Sequence, residues 1–298
     1  MNDLVELVPN ISEGRDLGRV GRLARLVGEA GCHLLDVHHD AAHHRSVFTA
    51  AGSSAAAVGA AGRLARGAVE SIDLTRHRGL HPRFGAVDVI PFVRIRGSEA
   101  ELVRRVDAAA RQIAEVLQIP VFLYARSSPP GETRRLSPLR RGGFERLDER
   151  LRDGELVPDF GPRRAHPTAG AIAMGVRDFL IAFNVFLETE RVASARAIAT
   201  RVRESSGGLP AVQAIGRFHD GESCAQVSMN LLNYRTPSLP DIYDAVSELA
   251  RDEGIEVRRS EIVGLVPKDA WQPEWQEHLR LPEPARTIEE ALSKAGLS

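Results

Sequence analysis

The 298-residue sequence predicts an α+β protein of two ferredoxin-like (βαββαβ) subdomains packed around a substrate cleft. Three observations lead there. Apolar residues recur at period two in short runs and at the helical period in longer ones, and the two kinds of run interleave. The second half follows β-α-β-β-α-β, and the first half opens in the same order before adding a helix and a strand. The halves meet near residue 178, giving subdomains 1–177 and 178–298, after a Pro-, Gly- and Arg-rich stretch at about 127–171.

Each element has its own signal. "LVELVPN" is a first strand, and Leu17, Val20, Leu23, Ala24 and Val27 form one helical face that stops near Gly31. "HLLDVH" and "SVFTAAG" are strands, an alanine-rich helix spans 54–70, and "AVDVIPFV" is the fourth strand. Leu102, Val103, Val106, Ala110 and Ile113 mark the next helix, "IPVFLYA" a fifth strand, and 144–152 a short helix in the irregular stretch. "FLIAFNVFL" opens the second half and a helix covers 192–202. "AVQAIGRF" pairs with "CAQVSMNLL" around His219-Asp220-Gly221. A helix capped at Ser238, with Pro240 and Asp241 in its first turn, runs to Gly254, and "IEVRRSEIVGL" closes the unit.

Composition narrows the function. At 43% hydrophobic and 5% aromatic residues, the chain has material for an aliphatic core. A net charge of −1 argues against nucleic acid bound by bulk charge. Two cysteines exclude a disulfide framework and fit a reducing compartment. The amino terminus lacks a signal-peptide pattern and no window approaches a membrane span. The expectation is a cytoplasmic protein without nucleic-acid or membrane partners.

Four segments carry candidate chemistry. "VPNISEGRD", 8–16, is a capped strand-to-helix turn. "DVHHDAAHHRSV", 36–47, holds four histidines and two aspartates, but no His-x-x-x-His pair on a helix and no cysteine support, so no metal is assigned. "RHRGLHPRFGAVDVIPFV", 76–93, crowds two histidines, three arginines and two glycines against a buried strand. There His81, before Pro82, can take and return a proton near neutrality. Arg76, Arg78 and Arg83 suit carboxylates. "PDFGPRRAHPTAGAIAMG", 158–175, is glycine-rich but lacks the lysine of a phosphate loop, so no nucleotide is assigned.

Together the motifs resemble those of the formiminotransferase family. "LVELVPNISEGRD" is similar to its opening signature and "RHRGLHPRFGAVDVIPF" to its catalytic segment. "PDFGP" is similar to the start of its folate loop, and "FLIAFNVFL", "AQVSMNLLNY" and "SEIVGLVP" to its second subdomain. The resemblance is collinear and covers about 3–268. It implies transfer of the formimino group from N-formimino-L-glutamate to N5 of tetrahydrofolate, giving 5-formiminotetrahydrofolate and L-glutamate in histidine degradation. Tetrahydrofolate is then the one-carbon acceptor, no metal is needed, and a cytoplasmic homodimer without a cyclodeaminase domain is expected. Two alternatives stay open: formyl transfer between N-formylglutamate and 5-formyltetrahydrofolate, and a non-catalytic folate-binding protein.

Residue by residue, the resemblance makes His81 the catalytic histidine. It places Gly161, Pro162, Arg163, Arg164, Ala165, His166, Pro167, Thr168, Ala169 and Gly170 in the folate loop, where the glycines let a flat pterin lie on backbone. On that reading Gly170→Val weakens tetrahydrofolate binding with little effect on stability. Asn10, Glu13, Arg45 and Asn184 are polar residues assigned to strand ends facing the cleft, and Arg83 joins them as a candidate for substrate carboxylates. The chain departs from the family's pattern at His44, where asparagine is common, at Ala42, where bacterial members often have aspartate, and at the Arg163-Arg164 pair.

Overall fold

The computed structural model describes residues 3–79 and 83–297, and the chain divides into two compact units at residues 177 and 178. The first unit runs β1 (Leu4–Leu7), β2 (Asn10–Ile11), α1 (Leu17–Gly28), β3 (His33–Asp40), β4 (Arg45–Gly52), α2 (Ser54–Ser71), β5 (Val87–Arg96), α3 (Glu99–Leu117), β6 (Val121–Leu123), α4 (Leu136–Leu139), α5 (Gly143–Arg152) and β7 (Ile172–Arg177). The second runs β8 (Ile181–Leu187), α6 (Val192–Val202), β9 (Val212–His219), β10 (Cys224–Leu231), α7 (Leu239–Asp252), β11 (Val257–Val263), α8 (Trp275–His278) and α9 (Ile288–Lys294).

Both units have the ferredoxin-like strand order. The second sheet is β11-β8-β10-β9, antiparallel throughout. Its Ile181, Phe183, Val185 and Leu187 pack with Ile198 of α6 and Ile242 and Val246 of α7. Helix α7 starts at the expected capping box, Ser238 with Asp241, and stops before Gly254 at φ +68°.

In the first unit β5, the β1–β2 pair, β4 and β3 form the same four-strand order. The first strand is broken at Val8–Pro9, and Pro91 of β5 lies opposite the break. Val8 N–H donates to the Pro91 carbonyl at 3.1 Å, whereas Pro91 has no N–H to return. Helices α1, α2 and α3 cover one face, with Leu23, Leu64 and Val106 against Leu7, Phe48, Ile90 and Phe92.

The expectation of one added helix and strand falls short. Strand β7 pairs parallel to β5 and β6 parallel to β7, so two strands extend the sheet. "IAMGVR" gives little strand signal because Gly175 interrupts it. The glycine is demanded by the Tyr124 carbonyl, which a Cβ there would meet at 2.2 Å. The stretch before β7 is also more ordered than its composition suggests. Leu139 of α4 and Leu147 and Leu151 of α5 cover Val89, Phe122 and Ala173 in a separate small core. Helices α8 and α9 follow the last expected strand, where the sequence carries no helical period long enough to announce them. Among the described residues no helix is long and apolar enough to cross a membrane.

One buried carboxylate ties these layers together. Asp88, wholly buried in β5, accepts the Phe84 N–H at 2.9 Å and pairs with Arg45 of β4 at 2.8 Å and with Arg140, just past α4, at 2.5 Å. Burial alone would raise its pKa, but Arg140 and Arg45 hold it below the usual carboxylate range. Asp88→Asn strands two cations, and the expected loss is about 3–5 kcal/mol in chemical denaturation. A loss under about 1 kcal/mol, the worth of an exposed pair, would show that the arginines find other partners.

Candidate functional site

The first unit brings the 12–16 turn, the β3–β4 loop, residues 73–79 and 83–86, and the 165–171 loop to the N-terminal end of β5. Ser12 bonds the Ala86 carbonyl through its N–H and the Gly85 carbonyl through its hydroxyl, at 2.9 and 2.7 Å. Leu74 N–H reaches Thr168 O, Ala86 N–H reaches Ala169 O, and Ala171 N–H reaches Phe84 O. His81 lies outside the described residues, as do Leu80 and Pro82. Their described neighbours at 79 and 83 are held from both sides.

His77 is buried and fully committed. Its Nδ1 accepts from Arg83 Nε at 3.2 Å, which leaves the proton on Nε2, directed at the His44 carbonyl at 3.0 Å. Burial, aided by the Arg83 charge, pushes its pKa down to about 4, so the ring is neutral near pH 7. Arg83 is engaged as well. Its guanidinium forks onto the Glu145 carboxylate at 2.9 and 2.7 Å. The chain itself thus supplies a carboxylate to the arginine read as a substrate clamp. Glu145, in the first turn of α5, gave no signal in sequence.

Glu13 anchors the turn after β2. Its Oε1 accepts the N–H groups of Gly14, Arg15 and Asp16 at 3.0, 2.9 and 3.0 Å, and Oε2 pairs with Arg19. His44 Nε2 lies 3.0 Å from the same Oε1. Burial favours the protonated acid, but these donors outweigh it and bring the pKa down to about 2.

Asn10 and Arg45 are bonded to each other and to their own sheet. Asn10 donates to the Val8 carbonyl at 3.1 Å, the acceptor that Pro91 cannot reach, and accepts from Arg45 Nε at 3.0 Å. Arg45 is buried on Asp88. Asn184 is placed differently from the expectation of a strand end. It sits mid-strand in β8 of the second unit, nearly buried, and donates to Glu261 of β11 at 3.0 Å. Asp88 was missed although its signal was present, an acid inside the apolar run "AVDVIPFV" that needs a buried cation.

Residues 161–170 form a loop pinned to its own unit. Ala165 N–H donates to Asp148 at 3.0 Å, and His166 and Gly170 exchange backbone hydrogen bonds at 2.9 and 3.0 Å. His166 Nδ1 accepts from Ala169 N–H at 3.0 Å, and burial lowers its pKa. Gly161, Arg163, Arg164 and Pro167 are exposed, Pro162, Ala165, His166 and Thr168 half-buried, and Ala169 and Gly170 buried. The glycines answer to the chain's own backbone. A Cβ on Gly161, at φ +88°, would lie 2.4 Å from Ile119 O, and one on Gly170, at φ +71°, 2.0 Å from Phe84 O.

Two predictions follow from this geometry. Gly170→Val is expected to destabilise the fold by at least about 2 kcal/mol, correcting the expectation of a pure binding defect. A variant as stable as the parent would return the glycine to the ligand. Glu13, its pKa depressed from 4.5 to about 2, contributes stability that is present above pH 4.5 and lost as pH falls through about 2. Glu13→Gln should remove about 3 kcal/mol at neutral pH and flatten that acid limb in denaturant melts across pH. An unchanged limb would place the acid sensitivity elsewhere.

Comparison with known proteins agrees along both units. The family "Formiminotransferase domain, N-terminal subdomain" matches residues 4–177, and "Formiminotransferase domain" matches 182–292. A glutamate formimidoyltransferase of Streptococcus pyogenes serotype M1 is 41% identical over 272 residues, 91% of either chain. One from Thermoplasma acidophilum is 41% identical over 271 residues, 90% of this chain and 89% of its own. The formimidoyltransferase-cyclodeaminase of Sus scrofa is 40% identical over 278 residues, 91% of this chain and 51% of its own, so the chain spans about half that relative. Matched from its first strand into its last helix, the chain belongs to the formiminotransferase family.

Proposed function

We propose that the chain is a glutamate formimidoyltransferase that moves the formimino group of N-formimino-L-glutamate to N5 of tetrahydrofolate. The observation that carries this reading is the 41% identity, over 91% of both chains, to a relative of that name. The products are 5-formiminotetrahydrofolate and L-glutamate, and the reaction belongs to histidine degradation. A cytoplasmic homodimer is part of the same reading.

The chemistry needs a proton carrier. N5 forms a bond to the formimino carbon and gives up its proton, and the carbon becomes tetrahedral. The bond from that carbon to the glutamate nitrogen then breaks as the nitrogen gains a proton. We assign both transfers to His81. His77, the described histidine nearest in sequence, has one ring nitrogen accepting from Arg83 and the other donating to a carbonyl, so it has no site for a substrate proton. The steps ask for no metal.

Binding follows from exposed charge. Arg163 and Arg164 stand exposed on the 161–170 loop and suit the carboxylates of the folate tail. Arg78, also exposed and bonded to the Thr75 and His77 carbonyls, suits a carboxylate of the glutamate donor better than Arg83, which already holds Glu145.

Purified protein with tetrahydrofolate should convert N-formimino-L-glutamate. Turnover with N-formylglutamate alone would reassign the donor, and folate binding without turnover would mark a silent binder. His81→Ala is expected to lower kcat by about 10²–10⁴-fold with KM for tetrahydrofolate within a few-fold, because a proton shuttle acts in the transition state. A fall of less than about tenfold would assign the proton transfers to another group.

A further inference from the structure

His44 stands in a position that the transfer chemistry leaves unexplained. It ends the β3–β4 loop at φ +51°, a left-handed backbone that few residues other than glycine, asparagine, aspartate and histidine adopt. Its ring lies flat on that of His77, with centroids 4.0 Å apart and 3° between the planes. Its Nε2 is 3.0 Å from Glu13 Oε1, and its Nδ1 is 3.1 Å from the Arg78 carbonyl.

Both partners only accept hydrogen bonds. Glu13 is a carboxylate, and a backbone carbonyl has no proton to give. Both are satisfied at once only by a ring that carries a proton on each nitrogen. Its neutral stacking partner, His77, adds no opposing charge. The Glu13 carboxylate faces it from the turn after β2 and shares its charge with Arg19 of α1. Across His77 lies Arg83, neutralised by Glu145. From the 73–79 stretch, Arg78 directs its guanidinium to the Thr75 and His77 carbonyls, and Arg76 pairs with Asp73. His43, next in the chain, pairs with Asp40.

Three independent contacts thus join His44 to the segment that leads to residue 81: the ring stack, the Arg78 carbonyl, and the His77 Nε2–H on the His44 carbonyl. Gly79 packs onto the same loop, where a Cβ would meet His43 O at 2.5 Å and the His44 Cβ at 2.7 Å. We propose that His44 is a positioning residue, an imidazolium clip that fastens the 76–79 stretch to the Glu13 carboxylate and lets go when it loses its proton. The proposal rests on the reading that residue 81 carries the transfer. When the ring deprotonates, Nδ1 gives up the proton, because the carbonyl is the weaker acceptor. Two lone pairs then face each other and the bond becomes repulsive.

The test uses the full chain and two readouts. The first needs no substrate: the His44 ring is titrated by NMR while hydrogen exchange is followed at the Arg76 and His77 amides, which bond Asp73 O and Leu74 O. Protection at these amides should fall about tenfold as the ring loses its proton, the factor one charge-assisted hydrogen bond supports. His44→Asn accommodates the left-handed backbone and removes only the ring. It should show the lowered protection at every pH, with amides of α2 and β5 unchanged. His44→Gln, unable to stack, should behave alike. Protection that ignores the ring titration, or that is the same in His44→Asn as in the parent, overturns the clip. The second readout is kinetic. His44→Asn should lower kcat about tenfold with KM for tetrahydrofolate unchanged, and the alkaline limb of the kcat profile that follows the ring should disappear. An unchanged kcat beside altered protection overturns the positioning role. A parent inert to both donors, its protection still following the ring, would sink the transfer reading and leave the clip standing.

Discussion

The charge of Asp88, sealed inside the first sheet, is the constraint around which the rest of that unit is arranged. A carboxylate there is tolerable only if cations come to it, and they come from β4 and from the residue after α4. Its other oxygen holds the Phe84 N–H and fixes where residues 83–86 turn into β5. Gly85 and Gly170 then approach through their backbones, each too close to a carbonyl to carry a side chain. The 161–170 loop takes its place from that contact. The arrangement of residues 83–88 against the 161–170 loop is therefore set by a buried charge in the core.

A second carboxylate, Glu13, repeats the logic at the surface of the same layer. Three successive backbone N–H groups and Arg19 fix its charge. That stable anion gives His44 something to bond, and the histidine pair passes the constraint on to Arg83 and Glu145. The departure from the family pattern at position 44 is thus built into a network instead of lying loose in a loop.

Much of the fold could be read from the chain because local signals and tertiary demands coincide. The Ser238 box, the alanine face of α2 and the paired β9 and β10 each satisfy a rule that needs no knowledge of neighbours. What was not legible depends on contacts distant in sequence. Strand β7 is hidden by Gly175, whose reason is Tyr124, fifty-odd residues earlier. The cation on Glu145 and the partners of Asp88 lie tens of residues away, and no spacing announces them. The conformational freedom of Gly170 is legible in the sequence, whereas the Phe84 carbonyl that also demands it is not. Asn184 lies inside the run "FLIAFNVFL" in sequence as in structure, and what the run does not announce is its partner Glu261, 77 residues on.

Pro91 has a reach beyond its own strand. Its carbonyl faces the first strand, so its missing N–H faces there too, and the Val8 carbonyl takes the side-chain amide of Asn10 instead. A side chain has become a prosthetic piece of main chain. Any residue with an N–H at 91 would compete with Asn10 for that carbonyl, and an Asn10 set loose would withdraw its oxygen from Arg45 Nε. Arg45 would then meet Asp88 with one fewer support. An apparently inert strand proline and a buried ion pair are in this way two ends of one linkage, and substitutions at either end cannot be expected to add independently.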